Sequence, residues 1–150
     1  MNEATQTRRL IAPAARLTDL LSPLAEPALR ITVGLLLIPH GWGKLFGGGL
    51  AGTAEFFASV GYEPAYLLAL AVGLLEVFGG LMLALGLLTR PVALAVAVFM
   101  ANAVIFHSAN GFLWTQGGYE YPLMWGIAAL FFAVRGGGRF SLDAKIGREF

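Results

Sequence analysis

Between Ala65 and Leu88 the chain carries one charge, Glu76, in a run of apolar and glycine residues broken otherwise only by Tyr66. A helix of that length crosses the hydrocarbon of a bilayer, which needs about 20 residues at ~1.5 Å rise. Counted from either end, Glu76 falls near the midplane. An isolated charge there costs on the order of 2.5 kcal/mol or more, so the carboxyl must be protonated, partnered or turned into a cavity. Helical spacing puts Ala69, Gly73, Glu76, Gly80 and Ala84 on one stripe. Small residues let membrane helices approach closely, so this stripe is expected to be the packed side.

The rest of the chain fits the same environment. Hydrophobic residues make up 57% and charged residues 13%, against about 25% charged in a soluble domain. The reading is an integral, multi-pass membrane protein. The absence of cysteine excludes disulfides, thiolate metal sites and cysteine redox chemistry within the chain. Any redox group must come from a ligand or partner.

Residues 1–27 read as a cytoplasmic lead-in. Leu17, Leu20, Leu21 and Leu24 form an amphipathic face suited to the headgroup region, and Pro23 and Pro27 are expected to break the chain before it enters the bilayer. Residues 28–134 hold four expected spans. The first, Ala28 to Phe46, contains Pro39, which predicts a kink near Leu35. After the turn Gly47-Gly-Gly49, residues 53–59 suggest a short interfacial helix with Thr53 as N-cap. The second span is Ala65–Leu88. The third, Val92 to His107, follows a turn at Thr89-Arg-Pro91, with Pro91 at the first helical position. The fourth, Pro122 to Val134, is short and would lean on its neighbours. Residues 135–150 form a basic tail. The triple glycines at 47–49 and 136–138 lack a phosphate-loop pattern and read as turns.

Basic residues set the orientation. Arg8, Arg9, Arg16, Arg30, Arg90, Arg135, Arg139, Lys145 and Arg148 fall on one side and Lys44 on the other. The fold expected is an all-α membrane protein, a four-transmembrane-helix bundle with both termini inside and an interfacial helix in the first outer loop. Trp42, Tyr62, Tyr66, Trp114, Tyr119 and Tyr121 then gather at the outer interface, where amphipathic rings prefer to sit.

The same topology brings His40, Lys44, His107, Glu120 and Tyr121 toward the outer boundary, above Glu76. His40 and Lys44 are one turn apart on one face. Each has a plain structural reading: Glu76 as a carboxyl bonded to a neighbouring helix, the histidines as interfacial residues, Lys44 as a snorkelling anchor, Glu120 as a helix-start acid and Asn102 as interhelical glue. Each also has a functional one. Intramembrane acids mark sites and proton routes, and imidazole titrates near neutral pH. Two lone histidines without ligand spacing do not argue for haem or another metal, and nothing in the pattern suggests nucleic acid.

Several stretches together resemble the DoxX family of bacterial inner-membrane proteins: Pro39-His-Gly-Trp-Gly-Lys-Leu-Phe46, Gly52-Thr-Ala-Glu-Phe-Phe-Ala-Ser59, Gly73-Leu-Leu-Glu-Val-Phe-Gly-Gly80, Leu87-Leu-Thr-Arg-Pro91, Gly118-Tyr-Glu-Tyr-Pro122 and Arg139-Phe-Ser-Leu-Asp143. The resemblance spans Leu29 to Asp143. It implies a four-helix membrane bundle related to the DoxD-type subunit of archaeal thiosulfate–quinone oxidoreductase, located in the bacterial inner membrane. His40, Lys44, Glu76 and Tyr119-Glu-Tyr121 match motif positions. Gly43 departs from the family pattern, which often has a larger polar residue there.

The function expected is a membrane subunit of a quinone-linked oxidoreductase system that binds a quinone or small reductant in the outer half of the bundle. In this reading Glu76, His40 and Glu120 handle protons, with His40 or His107 donating to a quinone carbonyl. Lys44 stabilises negative charge, and His107, Lys44, Tyr121 and Asn102 contact the ligand. The partners would be the lipid bilayer and a soluble or membrane redox protein, with a homo-oligomer left open. The competing readings are a non-enzymatic anchor for soluble redox enzymes and, on thinner grounds, a small proton-coupled transporter.

Overall fold

A computed structural model describes residues 12–148. Arg8 and Arg9, which enter the orientation argument, lie outside them, as do the first residues of the expected lead-in. Among the described residues the secondary structure is helical, with no strand. Six α-helices follow in order, α1 (Ala12–Leu45), α2 (Leu50–Ser59), α3 (Ala65–Leu85), α4 (Thr89–His107), α5 (Glu120–Arg135) and α6 (Leu142–Ile146), with two short 3-10 helices between α4 and α5.

Three of these, α1, α3 and α4, are long and apolar enough to cross a membrane. Helix α5 has 16 residues, about 24 Å at ~1.5 Å per residue, short of a ~30 Å hydrocarbon core. Large apolar side chains are exposed along every long helix, among them Leu20, Leu36, Leu67, Val98, Ile105 and Ile127. Such surfaces suit lipid and not water.

Helix α1 differs from expectation in running unbroken through Pro23 and Pro27, and it contains Pro39 as the first span was expected to. The amphipathic lead-in and the first span are one helix. Proline removes one backbone donor and so leaves a carbonyl four residues back unpaired. At Pro23 that carbonyl belongs to Asp19, and the Ser22 hydroxyl donates to it at 3.3 Å. Hydroxyl side chains repair helices in this way.

Two core clusters tie the long helices together. Val33 of α1, Leu83 of α3, Ala93 of α4 and Phe132 of α5 form one. Leu37, Val96, Met100 and Ala129 form the other. Trp125 packs against both and donates from its indole to the Val33 carbonyl at 3.3 Å. The small-residue stripe of α3 is the packed face, as its spacing predicts: Ala69, Gly73, Glu76, Gly80 and Ala84 are all buried. Helix α1 meets it backbone to backbone. A Cβ on Gly34 would lie 2.4 Å from the Gly80 carbonyl oxygen, and one on Gly80 would lie 2.6 Å from that of Gly34.

Arg30 is not a surface charge. It is 1% exposed, and its guanidinium closes the C-terminus of α3, donating to the carbonyls of Leu83 (2.8 Å), Ala84 (2.7 Å) and Phe140 (3.1 Å). Gly86, at φ +70°, ends α3 with bonds from Gly86 N to Leu83 O and from Leu87 N to Met82 O, the pairing of a left-handed glycine cap. Asp143 completes the corner. Its carboxylate accepts from Leu88 N (2.8 Å), Thr89 N (2.9 Å) and the Thr89 hydroxyl (2.8 Å), capping α4 from the far end of the chain. These bonds also hold Leu88 at φ +48°, a conformation costing on the order of 1 kcal/mol for a residue with a side chain. The helix opens at Thr89, so Pro91 is its third residue and not its first. In that first turn no donor is missed.

Candidate functional site

At the opposite end, the last turns of α1 carry His40 and Lys44, and α3 brings Glu76 beneath them. Gly41 makes the approach possible: a Cβ there would fall 2.7 Å from both the Glu76 Cβ and the Gly73 carbonyl oxygen. Around Glu76 the helix widens into a π turn, Leu75–Gly79. Such turns insert one residue into the α-helical count and re-aim the side chains they carry. Glu76 lies in this turn with its carboxyl against α1, and it is 4% exposed.

Its partner is Lys44. The ammonium lies 2.6 Å from Glu76 Oε2 and donates a second bond to the His40 carbonyl at 3.2 Å. A buried carboxylate without a partner would be costly, and a charge-assisted bond of this length offsets much of that. The ammonium has three donors, so this arrangement commits two and leaves one.

Lys44 also lines a half-open cavity of about 930 Å³ bordered by α1, α2, α3 and α4. Its walls are mostly apolar, with Phe56, Phe57, Phe99 and Phe106 prominent and Tyr62 at one edge. The polar groups on the lining are Lys44, Thr53, Asn102 and His107. Thr53 does not cap α2, as the sequence suggests. It sits inside that helix, whose N-cap is Gly49, and its hydroxyl donates to the Gly49 carbonyl at 2.8 Å. The helix starts four residues earlier than expected, and Thr53, Phe56 and Phe57 line the cavity.

His107 closes the far side. Its Nδ1 lies 2.7 Å from the Gly117 carbonyl oxygen. A carbonyl only accepts, so Nδ1 carries the proton and, in the neutral ring, Nε2 is an acceptor. Asn102 donates from its side-chain amide to the Val98 carbonyl one turn back, which keeps its carboxamide oxygen as an acceptor. Three of the residues singled out from sequence therefore share one cavity, with Glu76 bonded directly behind one of them.

The others do not reach that wall. His40 is exposed and stands edge-on to Trp125, with ring centroids 6.3 Å apart. Glu120 accepts from the Trp114 backbone N–H at 3.2 Å, and Tyr121 stacks on the Trp114 ring at 5.1 Å. Those contacts organise the loop between α4 and α5, the same loop whose Gly117 carbonyl orients His107. Sequence spacing did not single out the phenylalanines of the cavity as a group, because they come from α2 and α4 and look like ordinary lipid-facing residues. Gly43, the departure from the family pattern, faces open space, with nothing within 4 Å of a Cβ placed there.

The DoxX family model matches residues 27–109, from the middle of α1 through α4. The chain belongs to the DoxX family. It is 34% identical over 126 residues to inner membrane protein YqjF of Escherichia coli, covering 81% of this chain and 91% of that one. It is 31% identical over 131 residues to inner membrane protein YphA of the same organism, covering 81% and 92%. A Bacillus subtilis relative named putative oxidoreductase CatD is 28% identical over 115 residues, covering 77% and 81%. No solved structure matches. This DoxX protein, with its apolar helices and relatives named for a membrane, is a multi-pass membrane protein.

Proposed function

We propose that this DoxX protein is the membrane subunit of a quinone-linked oxidoreductase system of the bacterial inner membrane, and that the cavity between α2 and α4 receives the quinol head. Helix α5 would serve as a fourth span, its shortfall met by local thinning of the bilayer, with both termini on the cytoplasmic side. The observation that carries the reading is the meeting of Lys44, Asn102 and His107 on an aromatic-walled cavity whose back is the buried Lys44–Glu76 pair. A few convergent polar groups in an otherwise apolar pocket are the usual form of a small-molecule site. The name of the Bacillus subtilis relative supports a redox setting.

The donor and acceptor roles favour the reduced ligand. With its only proton held by Gly117, neutral His107 offers Nε2 to a hydroxyl hydrogen and cannot donate to a carbonyl. This reverses the role expected for it from sequence. Lys44 would donate its remaining N–H to the oxygen at the other end of the ring. Oxidation of a quinol to a quinone releases two protons and two electrons. His107 Nε2 would take the proton of one hydroxyl, and the proton of the other would go to Lys44 as Lys44 passes one of its own to the Glu76 carboxylate. His40, exposed and one turn from Lys44, would return protons to solvent. Glu120 would act as a positioning residue through the loop that holds His107. The electrons would pass to a flavin, haem or metal centre of a partner subunit.

The test is quinone retention and binding by the purified chain. Quinone should co-extract with the wild type, and a short-chain quinol should bind with an affinity lowered about tenfold by His107→Ala, the loss of one hydrogen bond. If the wild type co-extracts no quinone and a short-chain quinol fails to bind, the reading falls.

A further inference from the structure

The cavity beside Lys44 is longer than the ring its polar groups would hold. On α4, Ala95, Phe99, Asn102 and Phe106 recur at i, i+4, i+7 and i+11, one helical face, and all four line it together with His107. From Ala95 to His107 that wall runs about 18 Å at ~1.5 Å per residue. Its polar residues, Asn102 and His107, stand in the last two turns of the helix. Between Asn102 and Ala95 the wall is apolar, formed by Ala95, Val98 and Phe99, with Leu68 and Val72 contributed by α3. This arm ends where α3 and α4 converge: Leu75 packs against the cluster of Val96 and Met100, and Leu83 against Ala93. Its flank is open. Ala95, Val98 and Asn102 are exposed, on a surface of α4 that continues in Leu94 and Ile105. Helix α4 is apolar enough to span a membrane, so this flank faces hydrocarbon. Toward the end of α4 the wall meets α2, where Phe56 stands edge-on to Phe106 with ring centroids 5.1 Å apart.

We propose that the cavity takes its quinol from the bilayer through the open flank of α4 and holds the isoprenoid tail in the arm between Asn102 and Ala95. This rests on the reading of the cavity as a quinol site and narrows its ligand to a lipid-borne one. The order of the lining matches such a molecule, with hydrogen-bonding groups at one end for the ring and apolar walls leading away for the tail. A water-soluble reductant would have to cross hydrocarbon to reach the flank, and it would leave the arm unfilled. A phospholipid or a fatty acid suits the arm but not the head. The Thr53 hydroxyl spends its proton on the Gly49 carbonyl, while Asn102 and His107 present acceptors. The lining cation, Lys44, already bonds Glu76. An anionic head would face lone pairs there, whereas a quinol hydroxyl brings a hydrogen to them. The tail makes no directional bond, so what the arm reads is room. Ala95, with its small side chain at the far end, sets how much.

Equilibrium binding of two quinols to the full chain in one detergent tests this: tetramethylbenzoquinol, which has no tail, and a benzoquinol carrying a geranyl tail. Ala95→Trp, which fills the arm and replaces no polar group, should cut the preference for the geranyl quinol about tenfold, the burial of roughly two methylenes. Ile127→Trp, on the exposed face of α5, should leave the preference unchanged. Detergent takes up the tail equally in every form of the protein, so it cancels from the comparison. A diazirine at the end of the geranyl tail should label α4 at residues 95–99, and this labelling decides the matter if Ala95→Trp does not fold. A preference that survives Ala95→Trp, an equal drop in Ile127→Trp, or labelling confined to α5 would overturn the tail site, while binding of the tail-free quinol still upheld the quinol reading. If neither quinol binds the wild type, both fall together.

Discussion

The ammonium of Lys44 and the carboxylate of Glu76 lie 2.6 Å apart across the α1–α3 seam, with the acid side chain 6% exposed and the lysine 23%. A pair so placed depends on both members. Removing one leaves the other buried and uncompensated, which costs far more than exchanging both for apolar groups.

Lys44→Met should therefore destabilise the protein by about 3 kcal/mol, and Glu76→Leu by a similar amount. The double variant should recover most of the loss. Denaturant titration of the four forms in one detergent measures the coupling, and strictly additive losses would contradict the pairing.

Close backbone contact makes a second prediction. Gly34→Ala would bring a methyl group to 2.4 Å from the Gly80 carbonyl oxygen, and the helices would have to separate, at about 2 kcal/mol. Gly43→Ala, with open space around it, should cost little or slightly stabilise α1. Thermal unfolding of the two variants should rank them in that order; equal midpoints would rule out the tight crossing.

The corner formed by Asp143 can be probed with one atom. Asp143→Asn keeps the shape but turns one of the two acceptor oxygens into a donor, so either the Leu88 amide or the Thr89 amide faces an N–H instead of its acceptor. A loss of about 2 kcal/mol is expected, together with faster hydrogen exchange at the amide that loses its acceptor. Unchanged exchange there would show that the carboxylate does not cap α4.

Nitrogen-15 spectroscopy of His107 gives a direct reading of its ring. The hydrogen bond to Gly117 predicts a proton on Nδ1 and a bare Nε2 in the neutral form. A dominant Nε2–H tautomer would reverse the donor and acceptor roles assigned in the cavity.

Much of the architecture could be read in residue spacing. The apolar run around Glu76 and its small-residue stripe dictated both a membrane helix and the face it buries, because helical periodicity is a local property. Lys44 was visible as a candidate, but its ion pair was not. Which residue meets Glu76 depends on how α1 and α3 register, and that is set by Gly34, Gly41, Gly73 and Gly80 acting jointly. The π turn has no signature in the residues that form it. Arg30 counted toward the basic side of the chain, yet it is consumed by carbonyls at the end of α3, a demand that arises only once Gly86 reverses the backbone. The prolines of α1 misled for a related reason: a lost donor breaks a helix only when nothing else serves the orphaned carbonyl, and near Pro23 a serine does.

The glycine crossing of α1 and α3 also divides the molecule into parts that can move and parts that cannot. Main chain pressed on main chain cannot slide without collision, so that seam is a fixed frame. Helix α2, by contrast, buries none of its residues, and segments with so little burial open at the lowest free energy. Any rearrangement of the cavity wall would therefore fall on α2, while the acid behind Lys44 stays where the frame holds it.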